Sequence, residues 1–258
     1  MKSQYRSPFA FVILLLSMSL ACRFGLSPTA NSATEPPSTT EPATASQATG
    51  PSAAADSPVA TKAPAQSSGE QFFTENFDGD LGNWSQTVAL NNTTGDKSQA
   101  KISVDNGYLV FDLGKELIGY EFYEPHTYKN VRVDVSVDNR GTNVNDILLV
   151  CRASNEGLYL VNVANSGLFS FYAFDGTKKN YTRIADGGST KIKSGKEVNE
   201  YSLVCNDRNL TLYINGSQVR SYTDNLFAFR EGQVGVGVAS EDQVPVKVNF
   251  DWVKISEP

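Results

Sequence analysis

The stretch Val131-Arg-Val-Asp-Val-Ser-Val137 alternates apolar and polar residues without a break. Successive side chains of an extended strand point to opposite faces. A period of two therefore describes a half-buried β-strand and excludes an amphipathic helix. Ile102–Phe111 reads as two short strands joined at Asp105-Asn-Gly107, because Asn and Gly tolerate the positive φ of a tight hairpin. Further strands are predicted at Ile147–Arg152, Leu158–Val163, Leu168–Phe174, Tyr201–Asn206, Leu210–Ile214, Val219–Tyr222, Gln233–Ala239 and Val246–Ile255. Turn signals such as Asn165-Ser-Gly167, Asp175-Gly176 and Asn215-Gly216 fall between them. No long segment carries a 3.6-residue apolar period. Many short strands at close, regular spacing predict an all-β fold, a two-sheet antiparallel sandwich over residues 70–258.

The chain ahead of that domain cannot fold in the same way. Lys2 and Arg6 precede the apolar run Phe9–Leu16, and small residues lead to Cys22. A charged start, a short apolar core and small residues at its end make an export signal. The core falls short of the ~20 residues that a spanning helix needs. Leu20-Ala21-Cys22 resembles the bacterial lipoprotein signal, with Ser19 where that pattern usually has Leu. The resemblance implies a signal peptide over residues 1–21 and lipidation of Cys22. The protein is then expected to be extracytoplasmic and membrane-anchored, since acyl chains contribute ~0.8 kcal/mol per buried CH₂. Residues 23–69 are almost entirely Ser, Thr, Ala, Pro, Glu, Gln and Gly. Such a segment cannot offset an ordering cost of ~1–2 kcal/mol per residue, and residues 22–69 are expected to form a disordered linker.

The chain has a formal net charge of −6 and no basic patch, which argues against nucleic acid as a partner. Three cysteines occur. With Cys22 assigned to the signal, Cys151 and Cys205 form an even pair in an exported domain, the simplest setting for one disulfide. Two buried, reduced cysteines are the alternative.

Several motifs follow one another in a familiar order. Phe77-Asp-Gly-Asp-Leu-Gly-Asn-Trp84 is followed by Asp105-Asn-Gly-Tyr-Leu-Val110, then Tyr128-Lys-Asn-Val-Arg-Val-Asp-Val135. Leu158-Tyr-Leu-Val-Asn-Val163, Leu210-Thr-Leu-Tyr-Ile-Asn-Gly216, Gly232-Gln-Val-Gly-Val-Gly237 and Val248-Asn-Phe-Asp-Trp-Val-Lys-Ile255 complete the series. This order resembles the concanavalin A-like, laminin G-like jelly-roll domains of bacterial exported proteins, and within them the group related to the 3-keto-disaccharide hydrolase domain. The resemblance implies a jelly roll, a glycan-related role, and neighbouring strands for Cys151 and Cys205. It does not separate lectins, glycosidases and plain adhesion modules, which share the fold.

Residue chemistry narrows those classes. The single histidine, His126, sits beside Pro125 with no evident partner, and no Gly-x-Ser-x-Gly elbow is present. Jelly-roll glycosidases often place Glu-x-Asp-x-x-Glu along one strand, and no strand here carries it. Asp134, between Val133 and Val135, reads as part of a solvated face. Sugar binding demands less, namely aromatic platforms and a few polar groups. Tyrosines are plentiful, Tyr120, Tyr123, Tyr159, Tyr172 and Tyr181 among them, and Arg152, Asn162 and Arg183 are read as polar residues of the same central strands. Tyr123, Arg152, Tyr159 and Tyr172 are expected to converge on one sheet face and hold a glycan. No cofactor is required. Jelly rolls of this kind often hold a structural calcium where the first and last strands meet, and Asp78, Asp80 and Asp251 are the candidate ligands. The favoured reading is a tethered, non-catalytic module that binds glycan or another extracellular ligand. A glycan-active hydrolase and a purely structural domain are the alternatives.

Overall fold

The computed structural model describes residues 69–258, so the signal region, Cys22 and nearly all of the predicted linker lie outside it. Two antiparallel sheets pack face to face as a jelly-roll sandwich, with no α-helix among the described residues. One sheet runs β13 (Ser217–Thr223), β12 (Asn209–Ile214), β11 (Val198–Asn206), β6 (Val131–Asn139), β15 (Val246–Ser256), β4 (Tyr108–Leu113), β3 (Ala100–Asp105). A short β1 (Phe73–Glu75) also pairs with β15. The other runs β10 (Asn180–Gly188), β9 (Leu168–Asp175), β8 (Gly157–Ala164), β7 (Asn145–Ala153), β14 (Gln233–Ser240), β5 (Leu117–Tyr123), β2 (Trp84–Leu90).

The alternation in β6 does what the pattern requires. Val131, Val133, Val135 and Val137 are buried in the core between the sheets. Burial of each contributes roughly 1.5–3 kcal/mol. On the outer face, Arg132 pairs with Asp134 at 2.7 Å and donates to Ser202 at 3.0 Å. Asp134 is thus a partner in a half-buried ion pair on the outer face. The Asn106-Gly107 and Asn215-Gly216 turns adopt positive φ at both residues, which suits the two-residue hairpins they close. Four strands, β1, β2, β5 and β10, are not among those expected from sequence. Polar runs such as Asn180-Tyr-Thr-Arg183 hide β10, and a buried glutamate disturbs the pattern of β5.

Cys151 and Cys205 form a disulfide with a Cα–Cα distance of 6.7 Å. The expected neighbouring-strand placement is corrected: Cys151 lies on β7 and Cys205 on β11, in opposite sheets. Both cysteines point into the core, so the bond ties the two layers through the middle of the sandwich.

The described chain begins in a clamp. Tyr123 donates to the carbonyl of Glu70 at 2.8 Å, and Tyr128 donates to that of Gln71 at 2.7 Å. His126 bonds the carbonyl of Gly69 through Nε2 and packs between the two tyrosine rings. Three consecutive carbonyls are therefore held just before β1. This gives the lone histidine a structural partner that sequence could not supply.

Candidate functional site

The outer face of the seven-stranded sheet is unusually apolar for a surface. β5 contributes Ile118, Tyr120 and Phe122, and β7 contributes Leu148 and Val150. β8 adds Leu158 and Leu160, and β9 adds Tyr172. These residues form a second apolar cluster, separate from the core between the sheets. Glycines on β14 make room for it. A Cβ on Gly235 would stand 2.6 Å from the Phe122 ring, and one on Gly237 would stand 2.9 Å from the Tyr120 ring. The two rings consequently lie against β14 and stack on each other at 5.5 Å.

Five strand spacings separate β5 from β10, which in a flat sheet is roughly 24 Å. Tyr181 on β10 nevertheless sits close enough to Tyr120 on β5 to act on its phenol. Burial first, and Tyr181 second, push the Tyr120 phenol well above its ordinary range. The Tyr120 hydroxyl has no hydrogen-bond partner among the described residues. Tyr181 in turn packs on Phe174 at 4.7 Å and edge-on to Tyr172 at 6.3 Å. Two aromatic groups therefore lie on this face, Tyr120 with Phe122 on β5 and Tyr172, Phe174 and Tyr181 on β9 and β10.

Beside Phe122 and Leu158 lies an open depression of about 610 Å³. Phe122, Leu158 and Ala153 give it apolar walls. Its rim is polar: Thr127, Ser154, Asn155, Glu231 and Gln233. Thr127 donates to Glu231 at 2.9 Å, and Gln233 donates to Glu124 at 3.3 Å. Ser85 donates to the other oxygen of Glu124. Lys129 reaches Glu231 at 3.8 Å from an exposed position. The result is an apolar pocket with hydrogen-bonding groups around its mouth, suited to a small polyhydroxylated molecule with one apolar face.

The structure does not assemble the four residues expected to form the platform. Tyr123 is buried against Phe73 and Trp84. Tyr159 is buried on the core face of β8, where it donates to Asp224 at 2.6 Å and accepts from the Phe229 amide at 3.2 Å. Burial and then Asp224 raise its phenol. Arg152 is also buried, donating to the carbonyls of Lys129 and Phe229. Its φ of 55° sits at a bulge where β7 loses register with β14, which turns the side chain away from the outer face. Tyr172 alone lies where it was expected. Tyr120, Tyr181, Asn162 and Arg183, noted in the sequence but left out of the platform, do lie on that face. Phe122 and Leu158 were missed.

The acidic candidates also separate. Asp78, Asp80 and Asp251 are exposed, and Asp80 accepts from the Gly82 amide at 3.0 Å as an ordinary turn carboxylate. No group of three or more His, Cys, Asp or Glu close enough to hold a metal ion occurs among the described residues, so the expected calcium ligand set is not formed. On the outer face of the five inner strands, Asp146 is the single carboxylate among the described residues. Burial raises it, a 2.8 Å hydrogen bond from Asn162 partly offsets that, and Glu241 raises it further.

No sequence-family model and no curated protein matches this chain. Solved structures do. The family 16 glycoside hydrolase endo-glucanase of Bacteroides ovatus is similar over 71% of this chain and 99% of its own, with a TM-score of 0.52 and 13% identity. The Bacillus licheniformis β-glucanase is similar over 73% and 99%, with a TM-score of 0.54 and 10% identity. A Bacillus subtilis protein of unknown function with a galectin-like fold covers 72% and 94%, with a TM-score of 0.55 and 10% identity. The likeness is one of fold. At this identity it carries no residue roles across, and the narrower resemblance to the 3-keto-disaccharide hydrolase group has no sequence match behind it.

Proposed function

We propose that the domain is a non-catalytic module that binds a glycan in the depression bounded by Phe122, Leu158 and Gln233. The observation that carries this reading is the pocket itself, apolar-walled and polar-rimmed, on a fold shared with glucanases and a galectin-like protein. Hydrolysis by paired acids would need two carboxylates flanking one bond. The two carboxylates at the pocket rim are already engaged, Glu231 by Thr127 and Lys129 and Glu124 by Ser85 and Gln233, and the inner strands of this face add only Asp146, which favours binding over hydrolysis. Screening the full chain on a glycan array tests the reading. Phe122→Ala is expected to weaken any glycan hit by about tenfold, the loss of one aromatic contact. An array hit unaffected by both Phe122→Ala and Gln233→Ala would place binding elsewhere.

The same reading includes a tether. Cys22, outside the described residues, would carry the lipid and residues 23–69 would space the module from the membrane. Many weak sites on one surface then gain avidity without new contacts. Cys22→Ala is expected to move the protein from the membrane fraction to the soluble one. A mature N-terminus other than a modified Cys22, read by mass spectrometry, would exclude the anchor.

A further inference from the structure

The rim of the depression at Thr127 is braced from behind by the segment through which the chain enters the domain. That rim belongs to the connection from β5 to β6, residues 124–130. The sandwich fixes the two ends of the connection. The Glu124 amide donates to the Asn83 carbonyl at 2.9 Å, and Arg152 donates to the Lys129 carbonyl at 2.8 and 3.0 Å. In the middle, neighbouring side chains take opposite sides. Thr127 lines the depression. His126 and Tyr128 turn the other way and hold the carbonyls of Gly69 and Gln71. Tyr123, at the end of β5, holds the carbonyl of Glu70 between them.

These contacts form a stack that starts in the pocket floor. Gly232 is pressed against the end of β7, where a Cβ would stand 2.4 Å from the carbonyl carbon of Arg152 and 2.5 Å from the carbonyl oxygen of Ala153. Gly232 and Tyr128 then exchange backbone hydrogen bonds at 2.8 and 3.3 Å, and Thr127 donates to Glu231 at 2.9 Å. Ala153, Thr127, Glu231 and Gly232 all line the depression. Behind Tyr128 come residues 69–71. Their continuation leaves for the other sheet, where Phe73, Thr74 and Glu75 of β1 pair with β15. Phe73 packs on the Tyr123 ring at 4.6 Å and Phe72 on the Tyr128 ring at 6.0 Å. The entering segment is therefore anchored on one sheet and supports the rim of a site on the other.

Resting on the glycan reading above, we propose that residues 69–71 are a strap that sets this site, with Tyr123, His126 and Tyr128 as positioning residues that do not line the depression. While the strap is seated, Thr127 is held against Glu231 and the rim is formed. Without it, residues 126–128 keep only their bonds to Glu231 and Gly232 among the described residues. A surface segment held by so few contacts opens at little cost. Affinity in the depression is thus coupled to the seating of the strap. By linkage, a bound sugar holds the strap down by the same factor. The segment by which the chain enters the domain is the regulatory element of the site.

The test uses the double variant Tyr123→Phe/Tyr128→Phe in the full chain. It keeps both rings and removes only the two hydroxyls that hold the strap. Amide exchange followed by NMR needs no ligand. The Tyr128 and Gly232 amides should exchange about tenfold faster than in the unaltered protein, the order that two ordinary hydrogen bonds confer, while those of Val133 and Val135 in β6 stay unchanged. Unchanged exchange at Tyr128 and Gly232 overturns the proposal whatever the ligand. Faster exchange throughout the domain also overturns it, because the hydroxyls would then serve the fold as a whole. For any sugar that the array returns, the variant should bind about tenfold more weakly. Equal affinity in the two proteins overturns the coupling while leaving glycan binding intact. An array without any hit overturns the glycan reading, and the coupling to a sugar with it.

Discussion

Replacing both Cys151 and Cys205 by Ala is expected to destabilise the domain by about 4 kcal/mol, from the unfolded-chain entropy that a cross-link removes at this loop length. The bond closes a separation of 54 residues and joins opposite sheets, so no backbone ladder duplicates it. Domain stabilities are typically ~5–15 kcal/mol, and the loss is a large fraction of that. For a domain of this size it corresponds to a fall in melting temperature of roughly 8–16 °C. Denaturant unfolding with and without reductant provides the measurement. The dependence on denaturant should steepen on reduction, because the uncrosslinked chain exposes more surface when unfolded. A loss below about 1 kcal/mol would mean that strain in the folded state cancels the entropic gain.

The cysteines also show how far sequence reaches. Their pairing followed from an even count in a domain expected to be exported, but which strands they join did not. Both sit in apolar runs, Leu148-Leu-Val-Cys151 and Leu203-Val-Cys205, and such runs do not reveal which sheet a strand enters. The site failed at the same step. In Leu158-Tyr-Leu-Val-Asn-Val163 nearly every residue is apolar, so either face could be the inner one. Asn162 was the available signal. Its polarity places 158, 160 and 162 outward and buries Tyr159, and this is the arrangement found. Arg152 gave no such signal, because a bulge reversed its direction and bulges leave little trace in sequence. The alternation of β6 was legible because its outward residues are charged or hydroxylated and its inward ones are all Val. Fold class therefore needed only one clear strand and a cadence of turns. The site needed the facing of every strand.

β5 misled the reading most, and its odd residue sets the second large effect. Leu117, Gly119 and Tyr123 face the core, so Glu121 faces it too, at 1% exposure. One of its carboxylate oxygens has no hydrogen-bond partner among the described residues. Its cross-strand neighbours are Gln86 and Val236, neither of which titrates. Burial without compensation raises its pKa from the ordinary 4.5 to about 7. A carboxyl raised in the folded state favours folding while protonated. Its contribution is whole below the unfolded value and is lost as pH climbs through the folded one. Between pH 4.5 and 8 the folded protein should therefore lose roughly 3 kcal/mol from this group alone. Glu121→Gln keeps the shape and removes the charge. Urea unfolding of the unaltered protein and this variant across that interval should give curves that diverge as pH rises, with the variant flatter. Asp146, also raised by burial, remains in both proteins and cancels in the difference. Parallel curves would show that Glu121 is solvated or paired when ionised, and that the interior of the sandwich opens there to water.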